Sequence, residues 1–183
     1  MGKPRNKQNN GRPDREFEQR VVDLARVTRV MAGGKRMRFR ACVAIGDKKG
    51  QCGMGLAKGA DVSIAINKAA NRARKNLIKV AIIKNTVPHK MYLKQKAAKI
   101  LIKPAPEGTG VKAGGPVRVV LELAGVPNVV AKIMGTNNKI NNVRCLLTML
   151  STFKVKGKAV KETATKVDVS ETSTAKSADT KTK

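Results

Sequence analysis

The stretch that decides the fold runs from Arg26 to Val80, RVTRVMAGGKRMRFRACVAIGDKKGQCGMGLAKGADVSIAINKAANRARKNLIKV. It contains three strand-like segments separated by two glycine-bearing turns, followed by one segment with helical spacing. Its basic residues recur at the periods of strands and helices, so they gather on faces of the predicted elements. The stretch therefore predicts a β-β-β-α unit with basic outer surfaces.

The second of these strands has the clearest pattern in the chain. Alternate residues are apolar and are predicted to face a core: Met37, Phe39, Ala41, Val43 and Ile45. The opposite face begins with three arginines, Arg36, Arg38 and Arg40. Such a period of two is typical of a strand with one core side and one basic side.

The neighbouring segments complete a predicted three-stranded sheet. Val21–Val30 is expected to form the first strand, and the glycines of the Met31–Lys35 turn supply the positive φ of a tight hairpin. Gly46–Gly50 is expected to form a second turn. In the third strand one face carries Cys52, Met54 and Leu56, while the other carries only Gly53, Gly55 and Ala57. The small face predicts close approach of another backbone.

A long helix is predicted from its cap at Asp61 to Val80. At 100° per residue one stripe is apolar and should be buried: Val62, Ile66, Ala69, Ala73, Leu77 and Val80. A second stripe, about 110–130° around the helix, contains Lys68, Arg72, Lys75 and Lys79. Since no acid alternates with these cations, the stripe favours a bound polyanion over a solvated face.

The remainder is predicted from weaker signals. A helical turn is expected at Asp14–Gln19, and a weak strand and linker at Ala81–His89. The second half should contain a strand at Lys99–Lys103, a loop at Pro104–Gly110, a helix opened by Gly114-Gly115-Pro116 and ended by Gly125, a strand at Val129–Met134, and a last helix capped by Asn137 or Asn138.

Charge and composition limit the function classes. The net charge is +27, and such a field attracts a polyanion, most commonly nucleic acid. Aromatic residues make up 2% of the chain, too few for a protein that reads bases by stacking, so contacts to phosphates and to RNA shape are expected. No apolar run approaches the roughly 20 residues of a membrane span, and no secretory signal is expected.

Metal and enzyme chemistry are not expected. Cys42, Cys52 and Cys145 form no zinc-ligand spacing and are predicted to be free thiols in a reducing cytosol, the first two on paired strands where they could be neighbours. The glycines of Gly50–Gly59 match no phosphate-loop motif. Gly114–Gly115 precede a helix start where an anion could bind, but phosphoryl transfer needs carboxylates. A small phosphate-binding enzyme is therefore ranked third, behind two kinds of RNA-binding protein. No metal or cofactor is predicted.

Several motifs together resemble the S5 family of small-subunit ribosomal proteins. In the first half they are RVTRVMAGG at Arg26–Gly34, ACVAIGDKKG at Ala41–Gly50 and AINKAANRARKNLIKV at Ala65–Val80. In the second half they are KPAPEGTGVKAGG at Lys103–Gly115, VVLELAGVP at Val119–Pro127 and INNVR at Ile140–Arg144. The resemblance covers about residues 16–153, and the order of its motifs is specific.

The resemblance implies an α+β fold in two domains. Residues 14–88 would form a domain like a double-stranded-RNA-binding fold, with a three-stranded sheet packed on a long helix, and residues 89–154 a left-handed β-α-β domain. Residues 1–13 and 155–183 are too polar to fold alone and are expected to be disordered basic segments.

The resemblance also implies a function. It implies a cytoplasmic ribosomal protein that binds small-subunit rRNA, lies beside ribosomal proteins S4 and S8 near the channel through which mRNA enters, and supports assembly and decoding accuracy. The hairpin tip matches the family's spectinomycin-resistance loop. A free-standing double-stranded RNA-binding protein or RNA chaperone is the alternative.

Two groups of site residues follow from the residues and the resemblance together. The predicted RNA-binding residues are Arg29, Gly33, Gly34, Lys35, Arg36, Arg38, Arg40, Lys48, Lys49, Lys58, Lys68, Arg72, Lys75 and Lys79. The residues predicted to face ribosomal protein S4 are Gly108, Gly110 and Arg118.

Overall fold

The computed structural model describes residues 17–153, which form eight strands and three helices. In chain order they are β1 (Glu18–Met31), β2 (Gly34–Gly46), β3 (Gln51–Gly59), α1 (Val62–Lys75), β4 (Leu77–Lys79), β5 (Met91–Gln95), β6 (Ala98–Pro104), β7 (Val111–Lys112), α2 (Gly115–Ala124), β8 (Val129–Ile133) and α3 (Lys139–Thr152). The predicted α+β class is confirmed.

The first sheet is antiparallel, in the order β1-β2-β3-β4. Its fourth strand corrects the sequence-based prediction of three. The long helix stops at Lys75, and the chain turns at Asn76 so that Leu77–Lys79 pairs with the free edge of β3 at Gln51–Gly53. Leu77, Lys79 and Val80 are therefore not helical residues, although their spacing continues the helical period.

Small residues let α1 pack directly on this sheet. Its buried residues are Ala65, Ala69, Ala70 and Ala73, whereas the predicted Val62 and Ile66 are only partly buried. A Cβ on Gly55 would lie 1.9 Å from the carbonyl oxygen of Ala69, and one on Gly53 would lie 2.8 Å from that of Ala73. The prediction that the glycine face of β3 admits another backbone is confirmed.

The second sheet has the order β5-β6-β8-β7. Strands β7 and β8 are parallel, and α2 connects them, so the chain has the β-α-β unit predicted for this half. Gly125 ends α2 with a φ of 77°, and the Asn138 side chain accepts hydrogen bonds from the backbone N–H groups of Ile140 and Asn141 at the start of α3. Both of these predicted caps are confirmed.

A seam of backbone contacts joins the two halves. The N–H groups of Lys48 and Gly50, in the turn between β2 and β3, donate to the carbonyls of Leu123 and Ala124, each at 3.0 Å. Cys42, Ala44, Cys52 and Met54 from the first sheet share one buried cluster with the core of the second half, including Leu123. The part of the first sheet nearest the turn between β2 and β3 is therefore covered on both faces, by α1 on one face and by the second half of the chain on the other.

Other local predictions are corrected. Phe17 has no regular secondary structure, and Glu18 and Gln19 belong to β1, so the helical turn expected at Asp14–Gln19 is wrong for these three residues; its beginning lies outside the described residues. Ala81–His89 contains only isolated bridges and turns, and β5 was not predicted. The segments expected to be disordered, residues 1–13 and 155–183, also lie outside the described residues. No helix described between residues 17 and 153 has the length and apolar character needed to cross a membrane.

Candidate nucleic-acid interface

The end of the β1–β2 hairpin extends beyond the rest of the sheet. Pairing of β2 with β3 stops at Phe39, whereas pairing with β1 continues from Val27↔Arg38 to Met31↔Gly34. We call residues 26–39 the ribbon; its unsupported part spans about 15 Å at the usual rise per residue. The predicted hairpin is confirmed, with Gly34 at a φ of 151° and open space around both glycines. Residues 28–38 are all exposed.

One face of the ribbon is basic. Arg29 lies directly opposite Arg36, and Arg38 follows on the same face of β2. Like charges directly opposite each other on a sheet destabilise it, and within residues 17–153 no carboxylate lies within ion-pair distance of these three guanidinium groups. The arrangement suits an external anion, because such an anion would relieve this repulsion.

The basic face continues toward the body of the protein. Arg40 follows on β2, with Lys58 opposite it on β3. Arg40 forms an ion pair with Asp23, with Nη2 and Oδ2 3.6 Å apart. Asp23 also forms an ion pair with Lys139 at 3.3 Å. The basic surface is thus partly neutralised at its proximal end, while the ribbon remains unneutralised.

The helical stripe is shorter than predicted. Lys68, Arg72 and Lys75 remain on one exposed face of α1, but Lys79 lies on β4. The Arg72 guanidinium donates through Nη1 to the carbonyl oxygen of Leu56 at 2.7 Å, so part of its hydrogen-bonding capacity is used within the protein. Arg72 and Lys75 also lie in the last turn, where a cation is favoured by the helix dipole.

The turn lysines differ in their surroundings. Lys48 forms an ion pair with Glu18, and a hydrogen bond from Lys48 holds the pKa of that carboxyl below its usual value. Lys49 is exposed. Lys35 is exposed at the ribbon tip. Of these three predicted RNA-binding lysines, only Lys48 forms an ion pair with a carboxylate of the described residues.

The predicted protein interface lies on the second half. Gly108 and Gly110 have positive φ values of 85° and 71° in an exposed to half-buried loop. Arg118 donates from Nε to Glu122 Oε1 at 2.7 Å, and Arg20 of β1 donates from Nη1 to Glu122 Oε2 at 2.8 Å. Hydrogen bonding from Arg118 is the main cause that lowers the pKa of Glu122. Arg118 is therefore engaged with its own chain.

A groove between the two halves was missed by the sequence analysis. It has a volume of about 490 Å³, and its lining includes Arg72 from α1, Gln95 from β5, and Arg144 and Thr148 from α3. No carboxylate or histidine lines it. The residues come from distant parts of the chain, so no local motif could have indicated the groove.

The described residues show no chemistry of a metal site. Within residues 17–153 no three His, Cys, Asp or Glu side chains come together in a metal-binding group. The three cysteines are free and buried, and burial raises the pKa of Cys42 to about 11 and that of Cys52 to about 12. The paired strands do not make neighbours of Cys42 and Cys52, since Cys42 lies opposite Leu56 and Cys52 opposite Gly46.

The two glycines at the start of α2 differ in their surroundings. A Cβ on Gly114 would lie 2.9 Å from Cδ1 of Ile133 in β8, whereas Gly115 has open space around it. Gly114 therefore lies against β8 at the helix start, where only the movable end of the Ile133 side chain limits a larger residue.

Comparison with known proteins agrees with this architecture. A family model described as ribosomal protein S5, N-terminal domain, matches residues 17–81, and one described as ribosomal protein S5, C-terminal domain, matches residues 93–165. Small ribosomal subunit protein uS5c of Spinacia oleracea is 49% identical over 139 residues, which cover 75% of this chain and 45% of that protein. The chain thus spans less than half the length of this relative. With both halves of the family matched in order, the chain belongs to the ribosomal protein S5 family.

Proposed function

We propose that the protein is a structural, rRNA-binding constituent of the small ribosomal subunit and has no catalytic role of its own. Membership of the S5 family supports this assignment, as does the similarity to a relative named as a small ribosomal subunit protein. The observation that carries it is the ribbon, which presents Arg29, Arg36 and Arg38 on one face without a carboxylate partner in the described chain. The corresponding location is the ribosome in the cytoplasm.

The RNA contacts follow from the type of side chain. Arginine and lysine on a rigid strand or helix bind phosphate oxygens and fix the orientation of the RNA without reading its sequence. The ribbon would supply Arg29, Lys35, Arg36 and Arg38, and the thin Gly33-Gly34 tip would let it enter a narrow space. Lys68 and Lys75 of α1, with Lys49 and Lys58, would supply further phosphate contacts.

The finer assignments rest on the family resemblance. We propose that residues 14–88 act as the main RNA-binding domain and that residues 89–154 provide contacts to neighbouring proteins. In this proposal Gly108, Gly110 and Arg118 face ribosomal protein S4, ribosomal protein S8 is a second neighbour, and the ribbon lies near the channel through which mRNA enters. A contribution to decoding accuracy and to spectinomycin sensitivity would follow from that position.

Sedimentation tests the assignment against the alternative of a free-standing RNA-binding protein or RNA chaperone. Tagged full-length protein in a cell extract should sediment with the small subunit at physiological salt, because a structural constituent stays bound when weak, salt-sensitive contacts are screened. Protein that is found only in fractions lighter than the small subunit would refute the ribosomal assignment.

The protein interface is tested by a matched pair of arginines. Arg118→Leu and Arg20→Leu each remove one hydrogen bond to Glu122, but only Arg118 lies at the proposed interface. We expect Arg118→Leu to alter miscoding in a translation assay, Arg20→Leu to leave it unchanged, and both to keep nearly normal rRNA affinity. A large loss of rRNA affinity in Arg118→Leu with normal miscoding would favour an anion site at the start of α2 instead.

A further inference from the structure

The second face of the ribbon lacks the arginine cluster of the first, although the first face also has one exposed apolar side chain near the tip, Met31, which is 48% exposed. Cross-strand pairing places Thr28 opposite Met37 and Val30 opposite Lys35 on this face. Val30 is 73% exposed and Met37 is 46% exposed. These two side chains are therefore an apolar surface without a partner in the described part of the chain.

One cation lies at each end of this apolar surface. Lys35 lies at its tip end, and Arg26 lies at its proximal end opposite Phe39. The two cationic positions are separated by about 14 Å along β2 at the usual strand rise, and no acidic residue occurs anywhere from Arg26 to Arg40. A protein partner with an apolar surface would have to place these two cations against itself. A nucleic acid supplies the complement, because its flat bases are apolar while the phosphates on either side are anionic.

Because the ribbon is narrow, the same RNA is expected to contact both of its faces. It is two strands wide, and adjacent strands are about 5 Å apart. RNA phosphates that engage Arg29 and Arg36 on one face would leave the opposite face within reach of the same RNA wherever the structure is not a continuous duplex. Nucleotides in loops and junctions can be unstacked and turn their base faces outward, and methionine adapts its shape to irregular apolar surfaces.

We infer that the face formed by Thr28, Val30 and Met37 packs against an exposed base of a loop or junction in the small-subunit rRNA, while the arginine face binds the neighbouring phosphates. This inference rests on the proposed function and adds the class of RNA structure that the ribbon recognises. The affinity contributed by the apolar contact does not depend on salt concentration, whereas the affinity contributed by arginine–phosphate contacts does. The contributions of the two faces can therefore be measured separately.

The first test uses paired variants on the affinity of the full-length protein for a cognate small-subunit rRNA transcript, measured across a salt series. Val30→Thr with Met37→Thr keeps strand-forming side chains but removes apolar surface; we expect about a tenfold loss of affinity with an unchanged salt slope. Arg29→Gln with Arg36→Gln should lower the magnitude of the slope. The control is Leu24→Ser on β1, which is 46% exposed like Met37 but lies outside the ribbon, and which should bind as the wild type does.

The second test uses the wild-type protein and therefore does not depend on folding of a variant. Peroxide converts exposed methionines to sulfoxides, which mass spectrometry locates. In the protein–rRNA complex Met37 should be protected, while Met134 of the second half, which is 59% exposed, should oxidise as in free protein.

The outcomes separate this inference from the proposed function. Weaker binding by the arginine variants, together with normal affinity of the threonine variant and unprotected Met37, would overturn the inference and leave the proposed function standing. Protection of Met37 only in assembled subunits, and not on rRNA alone, would assign the face to a protein and also overturn it. Absence of rRNA binding by the wild type would overturn both.

Discussion

The proximal and distal ends of the β1–β2 hairpin have the same alternation but different surroundings. At the proximal end Ala41, Val43 and Ile45 are buried under α1, and Cys42 and Ala44 are buried under the second half of the chain. At the distal end both faces are exposed. The division occurs at Phe39, where β3 stops pairing with β2.

This difference shows that alternation identifies a strand but does not identify its core. Met37 and Ile45 occupy the same face of β2, yet Met37 is exposed and Ile45 is buried. A strand residue is buried only where a further layer covers it, and β3 pairs with β2 no further than Phe39, so Met37 lies beyond this support. The covered end therefore provides stability, and the uncovered end is available for binding.

The largest contrast should come from adding one methyl group beside the covered end, on the neighbouring strand β3, and one at the distal tip. In Gly55→Ala the new Cβ would lie 1.9 Å from the Ala69 carbonyl oxygen, so the helix must move and we expect a loss of about 3 kcal/mol or more in the free energy of unfolding. In Gly33→Ala nothing lies within 4 Å, and the change should stay within about 0.5 kcal/mol. Urea unfolding measures both; equal losses would contradict the division of the hairpin.

A second prediction concerns the seam that covers the proximal end. Leu123 is fully buried in the cluster shared by both halves, so Leu123→Ala should destabilise the protein by about 2–5 kcal/mol. Because the cluster is shared, hydrogen exchange in β2 and in β6 should become faster together. Faster exchange in β6 alone would show that the two halves unfold independently.

A third prediction uses pH. The folded protein holds the pKa of Cys52 at about 12, above the ordinary value of 9.0. The stabilising effect of the neutral thiol is complete below pH 9 and is lost as pH rises toward 12, at up to about 1.4 kcal/mol per pH unit while only the unfolded thiol ionises. Under reducing conditions, urea unfolding at pH 8 and pH 10 should show a smaller alkaline loss for Cys52→Ala than for the wild type. The same alkaline loss in both would mean that Cys52 titrates normally.

The sequence was sufficient for features that depend on local chemistry. The two-faced pattern of β2, the glycine hairpin, the small face of β3, and the caps Gly125 and Asn138 were all predicted because each depends on residues close together in the chain. The basic ribbon could be recognised for the same reason.

Features that depend on the end of an element or on distant residues could not be predicted. Leu77 continues the helical spacing of Ala69 and Ala73, so the predicted helix was too long and included Lys79. In the structure Leu77–Lys79 instead pairs as a strand with the open edge of β3. The engagement of Arg118 and Arg20 by Glu122 and the groove containing Arg72 and Arg144 arise only from the packing of the two halves.

The central claim is that the ribbon arginines, which have no carboxylate partner among the described residues, bind rRNA phosphates, whereas arginines paired with carboxylates do not. The most direct measurement is the salt dependence of affinity for a cognate small-subunit rRNA transcript, compared among the wild type, Arg29→Gln, Arg36→Gln and Arg20→Gln. Arg20 provides the matched control on β1, since it is bonded to Glu18 and Glu122. We expect each ribbon substitution to lower the magnitude of the slope by about 0.7–0.9 and Arg20→Gln to leave it unchanged. Equal slopes for all four proteins would contradict the account.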